Sequence, residues 1–475
     1  MGGPVGPGSP VGMPPMGGSP PYGQPAHGTP PIPRAPGRAA SRRFVAAVAA
    51  VVALVLVAGG ILVWQFALKD DGGDGGSPVT DGKTMKHAWK TPPGDGRVET
   101  LGAWTSGQRV ITGDAKAITA YDIADGREAG RFTPPTGEFC GMATKASQGI
   151  GIAAYGPAGK CDMTVAIDLA TMRSAWERKS KDVANSDDKF RRVQTAVDGD
   201  IAVISTSTGL SAFNLKDGAK RWDWSPTSSD DEGVDGLRVE GGTVLVEQSS
   251  YEKQSPANLI AIDAADGSRR WSKSIPPADD GYAWLNLVHA DPVVVEIARG
   301  GDYILQSYDR DGKLRAEIPS HGPDGMTDPR DMRSAPYNSD FDSAPYYSVA
   351  VAKNTLYIKT ERRDQKLGEI VRLVAFDLGT GKARWSMPMG KDVADIEIVG
   401  TDASGVLVLG TGLPGAPGQL MAFKHEDGSS LGARAVDGRA LLDAADSAIW
   451  MLSEGRLIGF TWLSRPEVPG LVGLA

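Results

Sequence analysis

The chain has 475 residues, 61 of them Gly and 33 Pro, and a formal net charge of −8. Residues 1–43 hold four Arg and no acid, leaving −12 for the rest, which argues against nucleic acid as the main partner because phosphate binding needs a basic surface. Only two Cys and five His are present, no two His lie within five residues of each other, and CxxC is absent, so HExxH and multi-His zinc chemistry is excluded.

Residues 1–40 hold 10 Gly and 12 Pro and cannot bury a core. Residues 1–43 therefore read as a disordered tail, a spacer or, through Pro30-Pro31-Ile32-Pro33, a polyproline ligand. Residues 44–68 carry no charge, and twenty apolar residues span about 30 Å, the thickness of a bilayer's hydrocarbon core. A core helix of that length would show a polar face, and a signal peptide has a shorter leader and apolar stretch. The segment is expected to be an uncleaved transmembrane helix inserted in the lipid bilayer. Arg42 and Arg43 precede it, and Asp70, Asp71 and Asp74 follow it, which puts the N-terminus in the cytoplasm and the remainder outside. Residues 69–83 read as a flexible linker.

From residue 118 a unit recurs: an apolar-x-small-aromatic run, an Asp, a Gly turn, then a basic stretch ending in Trp. Its Asp or equivalent falls at Asp122, Asp168, Asn214, Asp263, Asp309, Asp377, Lys424 and Thr461, at spacings of 46, 46, 49, 46, 68, 47 and 37. Four copies place Trp eight residues later, at Trp176, Trp222, Trp271 and Trp385. The alternating run is a strand, the Asp-Gly or Thr-Gly a tight turn, and the Trp stretch the returning strand. Two more short strands precede each hairpin, as at 109–112, 201–205 and 355–359. Four-stranded sheets of this kind bury their faces only by stacking radially. The fold class is therefore all-β, an eight-bladed β-propeller over 84–463. The last hairpin, 457–461, lacks a returning strand, and residues 85–93 around Trp89 are expected to supply it and close the ring. Residues 464–475 are left as a C-terminal tail.

These hairpins resemble the PQQ-type propeller repeat, with its Ala-x-Asp-x-x-(Thr/Asp)-Gly-x-x-x-Trp signature. The resemblance implies that Trp89, Trp176, Trp222, Trp271 and Trp385 dock between neighbouring blades. Gly130, Glu317 and Gly432 stand where three further Trp would be, so those junctions are expected to be weaker. Family members include quinoprotein dehydrogenases, assembly scaffolds and sensor ectodomains. The dehydrogenases carry an adjacent Cys-Cys pair, a calcium site and an Asp base. Here there is no Cys-Cys, and the nearest calcium-like loop, Asp309-Arg310-Asp311-Gly312, continues with Lys313 and Arg315 rather than oxygen ligands. No catalytic, cofactor-binding or metal-binding residue carries over. Gly428-Ser-Ser430-Leu-Gly432 mimics a hydrolase motif but falls in a hairpin, not a strand-to-helix elbow. A non-catalytic scaffold or sensor for an envelope protein or small ligand is the reading. The alternatives are a PQQ-dependent dehydrogenase and the ectodomain of a signalling complex with a separate cytoplasmic effector.

Strand connectivity places the Asp-Gly turns on one face and the links between blades, with the loops after each second strand, on the other. The 320–347 insertion, taken as a link between blades, falls on the long-loop face. Its Arg330, Arg333, Tyr337, Asp340, Phe341, Asp342, Tyr346 and Tyr347 form the candidate partner site, since aromatics and Arg are enriched in binding hot spots. Tyr346-Tyr347 can alternatively open the next inner strand. Cys140 and Cys161 also fall at this end, and outside the membrane they are expected to form a disulfide.

Overall fold

The computed structural model describes residues 83–475 apart from 93–97, 158–159, 180–192, 207–208, 227–233, 249–254, 278–280, 282, 300–301, 324, 328–348, 365–367, 413–416, 439–440, 442–447, 462 and 465–469. The chain divides after Gly75, and every described residue belongs to the second unit. Among the described residues no helix is long and apolar enough to cross a membrane; the expected span, 44–68, lies outside them, as do the tail and most of the linker.

Eight antiparallel blades follow one another. Blades 1 to 7 cover 102–132, 138–179, 195–224, 236–275, 283–319, 349–388 and 393–436. In each, four strands pair in sequence order, and first strands touch between blades 2 and 3, 3 and 4, 4 and 5, 6 and 7, and 7 and 8, which makes the first strands the innermost. Alternation of side chains serves two interfaces at once. In Ile201–Thr206, the second strand of blade 3, Ile201 and Val203 pack with Val244 and Val246 of blade 4. Ala202 and Ile204 pack with Ile152 and Ala154 of blade 2. A second strand buried on both faces reads as a continuous apolar run, which explains IAVI and VLV where a one-sided sheet would alternate.

Blade 8 is built from both ends of the described chain. Arg456–Thr461 pairs with Ala448–Ser453 on one side and Leu471–Leu474 on the other, and His87–Lys90 adds outside the latter. The N-terminal segment thus supplies the outer strand. The rest of the expectation is corrected: 457–461 is the second strand, and residues 471–474 are the buried third strand rather than part of a tail. The reason is local. No hairpin turn is needed between the third and outer strands when the outer one arrives from the other end of the chain. Closure also reaches blade 7: Met85 bridges Val436 in parallel, and the Lys83 carbonyl accepts from Arg434 Nε at 2.8 Å. Lys86 and Ala475 exchange backbone bonds at 2.9 and 3.0 Å.

Candidate functional site

In blades 2, 4, 5 and 6 the hairpin Asp caps its own turn. Asp263 Oδ1 accepts from Ala265 N at 2.8 Å, Asp377 Oδ1 from Gly379 N at 2.8 Å, and Asp309 Oδ1 from Asp311 N and Lys313 N at 3.0 and 2.8 Å. Asp309 is therefore occupied as a turn cap. The Arg before the Trp closes back on it: Arg270 pairs with Asp263 at 2.7 Å and Arg384 with Asp377 at 2.5 Å. Blade 3 has Asn214 there, and Arg221 turns to Asp200 instead. These Arg hydrogen bonds hold the carboxyls of Asp263 and Asp377 below the ordinary value of 3.8. Groups lowered in this way add stability above that value and lose it as pH falls through their folded range. Asp263→Asn with Asp377→Asn should flatten the fall in melting temperature between about pH 5 and about pH 3; an equally steep fall would assign the effect to other carboxyls.

Each Trp reaches the next blade. The indole N–H groups of Trp89, Trp176, Trp222, Trp271 and Trp385 donate to the carbonyls of Ile123, Leu215, Ala264, Arg310 and His425 at 2.7, 2.8, 2.9, 2.9 and 3.0 Å. Every acceptor directly follows the neighbouring hairpin's Asp or its equivalent. The rings lie on the turn glycines Gly126, Gly218, Gly267, Gly312 and Gly428. At two junctions without the Trp the same carbonyl finds another donor. Arg109 Nη1 lies 3.4 Å from Leu169 O, and also donates to Ala170 O at 2.7 Å, between blades 1 and 2. Ser307 Oγ donates to Leu378 O at 2.5 Å between blades 5 and 6. Blade 1 also sends Trp104, from its inner strand, to Ala143 O at 2.6 Å. Sequence reading missed Arg109 and Trp104, which lie outside the repeated hairpin, and Ser307, which fills the hairpin's small-residue position with nothing there to mark it as a donor.

On the opposite face Cys140 and Cys161 are joined, with Cα atoms 6.2 Å apart, half-buried beside the core shared by blades 2 and 3. The bond ties the inner strand of blade 2 to the end of the loop after its second strand. Closing 21 residues contributes about 3 kcal/mol in the chain-entropy picture. Cys140→Ser with Cys161→Ser should lose about that much in urea unfolding, and wild type measured in reductant should match the double variant; no difference between oxidised and reduced wild type would refute it.

Blade 6 departs from its neighbours. Its second and third strands, Thr355–Asp364 and Gly368–Asp377, are ten residues each. Along the inner edge of Thr355–Asp364 two separate segments pair: Val349 opposite Ile358, and Thr327 opposite Thr360. Only one position, opposite Lys359, separates them, yet residues 328–348 intervene in sequence. The insertion is therefore not simply a link between blades, as expected. His321–Gly322 and Gly325–Thr327 form a hairpin that prolongs the sheet, and the excursion interrupts the inner strand itself. Lys359 is nearly buried at that break, 3.1 Å from Asp395 of blade 7 and 3.9 Å from Glu361. Arg330, Arg333, Tyr337, Asp340, Phe341, Asp342, Tyr346 and Tyr347 all lie outside the described residues. Among the described residues no group of three or more His, Cys, Asp or Glu is placed to hold a metal. Ser430 opens the outer strand of blade 7, in a hairpin and not an elbow.

The ring of Trp-docked hairpins defines a PQQ-like eight-bladed propeller. The family described as outer membrane protein assembly factor BamB matches residues 116–385, more than half of the chain, and the chain belongs to that family. Comparison with curated proteins finds no match. Among solved structures, the computationally designed Ika8 protein aligns with a TM-score of 0.50 at 11% identity, over 82% of this chain and 98% of its own. BamB from Moraxella catarrhalis gives 0.45 at 13%, over 82% and 99%. A quinohemoprotein alcohol dehydrogenase from Pseudomonas putida HK5 gives 0.46 at 12%, over 82% and 76%. The likeness to the designed protein shows the fold alone.

Proposed function

We propose that the protein is a non-catalytic binding scaffold, tethered to a membrane by residues 44–68 and displaying its propeller outside the cytoplasm to an envelope protein. The split inner strand of blade 6 is the observation that carries this reading. A 21-residue excursion leaves and re-enters a rigid sheet at adjacent positions, Thr327 and Val349. Its ends are fixed by strand pairing, so a long segment rich in Tyr, Phe and Arg, the residue types enriched in binding hot spots, is anchored to the ring at two adjacent points. Membership in a family described by an outer membrane assembly factor supports a role in assembling envelope proteins. The disulfide supports an oxidising compartment.

The register supplies the test. Replacing 328–348 with a single Ser leaves one residue between Thr327, opposite Thr360, and Val349, opposite Ile358, which is the spacing of a continuous inner strand. The melting temperature should shift by no more than about 2 °C, since the strand pairing on both sides of the replaced segment is kept. Capture of the partner from native membranes should be lost. Undiminished capture by this variant would overturn the reading.

A further inference from the structure

The outer edges of the blades are unequally charged. The outer strands of blades 2, 3 and 4 are Arg173–Lys179, Lys220–Trp224 and Arg269–Ile275. Together they carry eight Lys or Arg and two acids, in a chain whose net charge is −8. The other five outer strands, although longer in total, carry five Lys or Arg and two acids. Protection of exposed sheet edges explains some charge on every blade, but not its concentration on three consecutive ones.

Four of the eight cations have acidic partners: Lys179 with Asp162, Lys220 with Asp223, Arg221 with Asp200, and Arg270 with Asp263. Among the described residues Arg173, Arg178, Arg269 and Lys273 have none. Arg178 is held in place instead by the carbonyls of Gly218, Asp217 and Glu177 at 3.0, 3.0 and 2.9 Å, with its guanidinium 6.0 Å from the Trp176 ring. The unpaired cations lie on two edges, those of blades 2 and 4, with the paired cations of blade 3 between them. No apolar centre accompanies them, since the exposed large hydrophobics among the described residues are Tyr303 and Leu314, both in blade 5. Protein interfaces centre on such apolar anchors. Cations spaced along the rim on either side of blade 3, without such an anchor, suit a linear polyanion, whose binding is governed by charge and counterion release. The sector also points away from where the chain enters the ring. Lys83 and Met85 contact blade 7, and blade 3 stands four blades from it, halfway round.

We propose that the rim of blades 2–4, through Arg173, Arg178, Arg269 and Lys273, binds a linear phosphodiester polymer of the envelope. This surface is separate from the long-loop face and does not depend on the function assigned to it. The probe is a linear glycerol-phosphate polymer, titrated against the full chain in nanodiscs of neutral phosphatidylcholine. Wild type should bind the polymer with an affinity that falls steeply with salt, and should not bind monomeric glycerol phosphate. Arg173→Glu/Arg269→Glu/Lys273→Glu should weaken binding at least about tenfold and reduce the salt slope by about two, at about 0.7 per phosphate contact. Lys116→Glu/Lys382→Glu/Lys391→Glu, three exposed cations on other blades with the same change in charge, should stay within about twofold. If the first triple does not fold, its Ala counterpart, which adds no charge to an exposed edge, replaces it. Equal losses in both triples, no binding of the polymer, or binding to phosphatidylglycerol vesicles in its place would each overturn the proposal.

Discussion

Trp89→Ala should cost about 3–5 kcal/mol of unfolding free energy and open the ring, the range for truncating a large buried aromatic. Trp89 sits on the strand that joins the two ends of the propeller. Its indole N–H donates to Ile123 O of blade 1 at 2.7 Å, and its ring lies between Gly126 of blade 1 and Gly473 of blade 8. Losing it leaves the buried strand Leu471–Leu474 without its outer cover, an apolar edge open to other chains. Urea unfolding should show a lower midpoint, and size exclusion at mild denaturant should show oligomers. Trp224→Ala is the control, since Trp224 is only partly buried on an outer strand, against the core of blades 3 and 4, and should cost less than Trp89. Equal effects at the two positions would contradict a closing role for Trp89.

Gly267→Ala should cost more than an equivalent change at a turn that no Trp covers. Gly267 has φ +77°, and a methyl there would lie 2.7 Å from the Trp222 ring. Two penalties combine, about 1–2 kcal/mol for a side chain in the left-handed region and about 1–3 kcal/mol for overpacking. Gly455 has φ +68° with nothing within 4 Å of the added methyl. Gly455→Ala should therefore show only the first penalty. Trp222→Ala in the Gly267→Ala background should add less than it does alone, because the two groups occupy one contact. Equal costs at Gly267 and Gly455 would mean that the ring does not press on the turn.

Seven blades were legible because each carries its own hairpin, and in most of them Asp, Gly and Trp at fixed offsets mark cap, turn and dock. Blade 8 was only half legible for the same reason. Leu457–Thr461 imitates the apolar-small-aromatic run of a third strand, while the true third strand, LVGL at 471–474, has neither Asp nor turn after it. The missing turn after Thr461 was the available signal that the assignment had slipped by one strand. Arg109 could not be found from the motif because it reaches its carbonyl from a second strand, and Ser307 sits at the motif's small-residue position, where nothing local marks it as a donor across a blade junction. The break in blade 6 is a matter of register between segments separated by 21 residues, and local pattern carries no information about it. Composition located the candidate partner residues, but strand pairing located the two points from which they leave the ring.

The claim that the long-loop face at blade 6 meets the partner is tested most directly by site-specific photocrosslinking in native membranes. One probe replaces His321, exposed on the hairpin that precedes the excursion, and another replaces Asp427, exposed in an Asp-Gly turn of blade 7 on the opposite face. A discrete protein adduct from position 321 with none from 427 is the expected result. An adduct from 427 alone, or none from 321 while the protein is folded and tethered, would contradict it.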